Sequence, residues 1–126
     1  MGNIRTVGII GSGIMGSGLA EVAARAEFEV VVRSRTQAGA DAVLHGIDAG
    51  LTKQVARERL TEADKAAILG RITVTDDLHQ LHDCDLVIES VVEDMEVKRD
   101  LFEKLDRIVK PDAIIVACGF DAAAVD

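Results

Sequence analysis

The chain has 126 residues, enough for one domain with a real core, and a formal net charge of −8 at neutral pH. Its hydrophobic content is 48 %, mostly aliphatic and small; Trp and Tyr are absent and Phe occurs three times. The acidic balance argues against nucleic acid and anionic membranes as partners, and the missing aromatics remove the stacking platforms that single strands need. No apolar run approaches the length of a membrane span and no signal-peptide pattern opens the chain, so a cytoplasmic location is expected.

Residues 4–10 predict a buried first strand. It breaks into Gly11, Ser12, Gly13, Ile14, Met15 and Gly16, with G-x-G-x-x-G spacing, and then into a helix over 14–26. In that context the spacing points to a dinucleotide site. Gly11 permits a tight turn, Gly13 lets the backbone approach a diphosphate, and Gly16 brings the helix close to the strand. The free N–H groups and the helix dipole then face the anion.

Residues 28–32 form a second apolar strand. From Thr36, an N-cap, a helical pattern runs to about Arg59, with Ala40, Val43, Leu44, Ile47 and Leu51 at spacings of three and four. Thr61 and Asp64 resemble a capping box and open a shorter helix ending near Gly70. A short strand is predicted at 72–75, a single helical turn at 76–81, a buried strand at 85–92 and an amphipathic helix at 94–109. Pro111 closes that helix, and residues 113–117 make the last strand. Strands linked by helical crossovers imply an α/β, Rossmann-type doubly wound, mostly parallel sheet with helices on both faces.

Cys84 and Cys118 lie far apart without C-x-x-C partners, so neither a disulfide framework nor a metal site is expected, and Cys84 reads as a reduced thiol at the core edge. His45, His79 and His82 fall away from strand ends and read as surface residues; no catalytic residue is assigned. At the end of the second strand, where an acidic side chain would bind the ribose of NAD, the chain has Arg33, Ser34 and Arg35. Two guanidinium groups flanking a hydroxyl suit a 2′-phosphate, which favours NADP over NAD, although arginines at a strand end also face water in many proteins. Glu93 and Lys98 flank the start of the helix after the strand at 85–92. Their spacing fits contacts to a coenzyme and equally an ordinary solvated helix start.

The string from Val7 to Ala20, together with that from Asp85 to Lys98 and with Leu101 and Phe102, resembles the L-3-hydroxyacyl-CoA dehydrogenases, and within them the bacterial 3-hydroxybutyryl-CoA branch. The resemblance covers residues 4 to about 117, which sets a dinucleotide-binding domain at 1–117 and an unmatched tail at 118–126. It implies hydride transfer between NAD(P) and a 3-hydroxyacyl-CoA/3-oxoacyl-CoA pair, coenzyme contacts from Glu93 and Lys98, and an acyl-CoA partner. Lys53 and Arg57 lie where relatives contact the CoA moiety.

Three departures qualify it. Ser34 replaces the family aspartate. Residues 118–122 read Cys-Gly-Phe-Asp-Ala where the family has a serine-rich segment. The catalytic His–Glu pair and the helical dimerisation domain fall beyond Asp126 in the family pattern, so these residues alone are expected to be inactive. A sheet left with an open edge and an apolar patch is expected to self-associate as a homo-oligomer. The alternatives are a non-catalytic dinucleotide-binding or structural module, as in a lens protein of the same family, and a dehydrogenase of small 3-hydroxy acids. The Glu89, Glu93 and Lys98 pattern tells against the latter.

Overall fold

The computed structural model describes residues 4–11, 13–90 and 95–117. Five strands, β1 (Thr6–Ile10), β2 (Glu29–Arg33), β3 (Ile72–Thr75), β4 (Leu86–Glu89) and β5 (Ile114–Ala117), form one sheet in the order β3-β2-β1-β4-β5. Every pairing is parallel. The crossovers carry α1 (Ile14–Arg25), α2 (Gln37–Ala56), α3 (Glu62–Gly70) and α4 (Met95–Ile108), with a 3-10 turn, Leu78–Leu81, between β3 and β4. The chain winds outward from β1 in one direction and resumes on its other side with β4. The crevice above the carboxyl ends of β1 and β4 is therefore the topological switch point, where such sheets bind ligands.

Strand alternation sends side chains to two separate cores. Val7 and Ile9 of β1 and Val30 and Val32 of β2 pack under α1, α2 and α3, with Val43, Ile47, Leu51 and Ile68 from the helices. Ile10 and Val87 face the other way, onto Leu105 of α4 and onto Leu78 and Leu81 of the 3-10 turn. The second face crowds at Gly8. A Cβ there would lie 2.8 Å from both Cys84 Sγ and Leu81 Cδ2. Gly8→Ala should therefore lower stability by about 1–3 kcal/mol in urea denaturation, the usual range for overpacking a filled core. Cys84 is fully buried there, and that burial, reinforced by Asp85 and Asp83, pushes its thiol up to about 11.

The helix ends explain where the boundaries depart from the sequence pattern. Thr36 caps α2 by accepting from Gly39 N, and Thr61 with Asp64 makes the full capping box of α3. The pattern predicts α2 to about Arg59, but the helix stops at Ala56. Arg59 N donates to Gln54 O and Glu58 N to Val55 O, a Schellman closure with Glu58 at φ 58°. Glu27, at φ 73°, closes α1 the same way, through Phe28 N to Ala23 O and Glu27 N to Ala24 O. Both positions favour glycine. Glu58→Gly should raise stability by about 0.5–1 kcal/mol in the same assay, since the left-handed conformation strains a residue with a Cβ.

Asp85 ties the strand starts together. Its carboxylate accepts from Arg5 N at 2.9 Å and Thr6 N at 3.0 Å, and pairs with Lys110. The Lys110 ammonium first, then the two amides, hold its carboxyl well below the usual carboxylate range. A depressed folded-state value means the stabilisation is complete above the unfolded-state value near about 4 and is lost as pH falls below it. Asp85→Asn should lower stability at neutral pH and flatten its decline between about pH 4 and pH 2, read from urea midpoints across that range.

Candidate coenzyme site

Local sequence builds the turn after β1. Gly11 has φ 133°, a conformation open to glycine and strained for other residues, and its N–H donates to Arg33 O at 3.0 Å. The chain thus reverses directly off the ends of β1 and β2. At Gly16 an added Cβ would stand 2.5 Å from Gly11 O, so α1 rises hard against the turn. At Gly13, the residue before α1, an added Cβ would meet nothing within 4 Å among the described residues. Backbone conformation thus demands glycine at 11 and close packing demands it at 16, while neither does so at 13. The open space at Gly13 fits a diphosphate approaching the amides at the start of α1. Met15 is exposed on the first turn of α1; Ser12 lies outside the described residues.

The trio after β2 is split by strand alternation. Arg33 belongs to the α4 side: its Nε donates to Asp76 O at 3.2 Å, and it lines a groove of about 450 Å³ with Asp76, Asp77, His79, Lys104 and Arg107. Ser34 turns to the α2 side and is 7 % exposed, its hydroxyl 2.6 Å from where a Gly39 Cβ would be. Arg35 is exposed beside the N-terminus of α2. The expected pair of guanidinium groups around one hydroxyl is corrected to a single arginine, Arg35, next to a buried serine and a helix start.

Across the switch point, Ser90 seals β4 to β1. Its N–H and its hydroxyl both donate to Ile10 O, at 2.9 and 3.1 Å. Glu89, level with Ile10 in the register, is fully buried, and its Oε1 lies 3.5 Å from Lys98 Nζ in the first turns of α4. In sequence, Glu89 enters the pattern with Glu93 and Lys98 without a role at the site, although a carboxylate ending the apolar run Leu86, Val87, Ile88 is itself a signal. Glu93 and the predicted tail at 118–126 lie outside the described residues. Lys53 and Arg57 are not brought to the turn. They are exposed at the far end of α2, Lys53 about 24 Å along the helix from Gln37 at the usual rise per residue. His45, His79 and His82 are exposed. Among the described residues no group of His, Cys, Asp and Glu could hold a metal ion, and no helix is long and apolar enough to cross a membrane.

This geometry has close counterparts. A family profile described as "3-hydroxyacyl-CoA dehydrogenase, NAD binding domain" matches residues 6–119. A 3-hydroxybutyryl-CoA dehydrogenase of Mycobacterium tuberculosis is 44 % identical over 115 residues, covering 90 % of this chain and 40 % of that protein. One from Bradyrhizobium diazoefficiens is 42 % identical over 114 residues, covering 90 % of this chain and 39 % of the relative. The crystal structure of an (S)-3-hydroxybutyryl-CoA dehydrogenase from Ralstonia eutropha superposes with a TM-score of 0.86 at 35 % identity, over 91 % of this chain and 41 % of that one. The chain thus spans well under half the length of the relatives it matches.

Proposed function

Since this chain belongs to the 3-hydroxyacyl-CoA dehydrogenase family, as its NAD-binding domain, we propose that it seats the coenzyme of an enzyme interconverting a 3-hydroxyacyl-CoA and a 3-oxoacyl-CoA. The observation that carries this is the contrast within one turn: glycine required by backbone conformation at Gly11 and by close packing at Gly16, and space over Gly13 that the described residues leave open. In this reading residues 1–117 are the binding domain. Gly11, Ser12, Gly13, Ile14, Met15 and Gly16 hold the diphosphate, Ser34 and Arg35 the adenosine ribose, and Glu93 and Lys98 the nicotinamide half. NADP is preferred over NAD, on the exposed Arg35 and the missing acid at Ser34. When bound, the nicotinamide supplies the hydride chemistry; this chain binds and orients it.

Lys53 and Arg57 offer their exposed cations to the phosphates of CoA, whose long pantetheine arm reaches from α2 toward the crevice. A second copy covers the open side of the sheet, where Ile114 and Val116 of β5 are 53 % and 39 % exposed. The setting is cytoplasmic. Fluorescence titration of the 126-residue chain with NADH and NADPH tests the reading. Saturable binding is expected, with no turnover of acetoacetyl-CoA by these residues alone; a flat titration with both coenzymes overturns it.

A further inference from the structure

We infer that Glu89 is the positioning residue for Lys98, holding its ammonium in place before the coenzyme arrives; this rests on the proposal that Lys98 contacts the coenzyme. Ser34 and Glu89 are the buried polar residues of the described chain, and Glu89 is the one with an ionisable side chain. A carboxylate at 0 % exposure is retained only where a cation and hydrogen bonds offset its desolvation, and Lys98 Nζ lies 3.5 Å from Oε1.

The placement follows from strand alternation. Val87 faces α4, and Glu89, two residues on, faces the same helix as its first turns pass overhead. The backbone at this point is pinned. Glu89 is level with Ile10, the residue before Gly11, and Ser90 donates twice to Ile10 O. The carboxylate is therefore fixed to the same strand ends that carry the glycine turn.

Lysine has a long, rotamer-rich stem, and a cation that must be ordered on binding weakens affinity by the entropy of that ordering. With its side chain 17 % exposed and its ammonium at Glu89, Lys98 is ordered beforehand. The pairing also neutralises a carboxylate that would otherwise repel an anionic coenzyme at close range. A purely structural clamp between β4 and α4 would affect folding stability without coupling the two residues in coenzyme affinity.

A double-mutant cycle on the 126-residue chain, read by NADPH fluorescence, separates these. Glu89→Gln should weaken binding about fivefold to tenfold in the wild-type background and cause no further weakening in the Lys98→Met background. Equal weakening in both backgrounds, or none in the wild type, overturns the inference while leaving coenzyme binding intact. Loss of binding by the wild-type chain overturns the coenzyme reading and this inference with it. Should Glu89→Gln fail to fold, nitrogen-15 relaxation of the Lys98 ammonium in the coenzyme-free wild type decides. Restricted motion supports the inference, and the free rotation of a solvated lysine overturns it.

Discussion

Gly16→Ala and Gly13→Ala should both abolish tight coenzyme binding, but only the first should damage the protein. At Gly16 the new methyl carbon would sit 2.5 Å from Gly11 O and 3.1 Å from Gly11 C, both backbone atoms of the turn. Ser90 Oγ, at 3.4 Å, closes another side and is itself held by Ile10 O. Nothing flexible is available to yield, so α1 must lift from the strand or the turn must open. The expected loss is about 1–3 kcal/mol of stability, as for other overpacked sites, and coenzyme affinity falls with it. At Gly13 the backbone has φ −78°, which alanine adopts freely, and beyond its chain neighbours no atom of the described residues lies within 4 Å of the added carbon. Stability should be unchanged within about 0.5 kcal/mol. The methyl group would instead stand where the diphosphate approaches, and the dissociation constant for NADPH should rise at least about tenfold, a loss of about 1.4 kcal/mol. Gly18→Ala, which meets nothing within 4 Å inside α1, is the control and should leave binding unchanged. Calorimetric melting beside fluorescence titration reads both quantities. A Gly13→Ala protein that binds as tightly as the wild type would show that the coenzyme does not cross this turn.

Local features were the legible ones. The glycine spacing, the apolar runs of β1 and β2, the Thr36 cap and the Thr61–Asp64 box each depend on residues a few positions apart, and each forms as its pattern predicts. Features set by distant contacts were not legible. Gly8 looks like part of the glycine-rich string, yet its absent side chain makes room for Leu81 and Cys84, more than seventy positions on. The end of α2 was obscured because Glu58 occupies a left-handed position that sequence patterns reserve for glycine or asparagine. Glu89 and Lys98 are nine positions apart, and only the approach of α4 to the end of β4 shows that they meet. The arginines flanking Ser34 illustrate a different failure. Adjacency in sequence suggested one cluster, whereas the period-two alternation of β2 sends Arg33 to the α4 face and Ser34 to the α2 face.

That separation makes the selectivity of the ribose end testable at single positions. Ser34→Asp should shift preference from NADPH toward NADH by about tenfold to a hundredfold, since like charges set side by side cost up to several kcal/mol and water screens part of that. The new carboxylate would lie beside the first turn of α2, where the helix dipole favours an anion and where glycine at 39 leaves room. It would accept hydrogen bonds from ribose hydroxyls and repel a 2′-phosphate. Arg35→Ala should weaken NADPH binding while leaving NADH nearly unchanged, because the exposed guanidinium has a specific partner only when the phosphate is present. Arg33→Ala serves as the contrast. Its Nε is already engaged by Asp76 O on the other face, so its loss should not change the ratio of the two affinities. Paired titrations of each variant with both coenzymes supply that ratio. A ratio that moves with Arg33 but not with Ser34 or Arg35 would place the phosphate in the groove between Asp76 and Arg107 instead of at the start of α2.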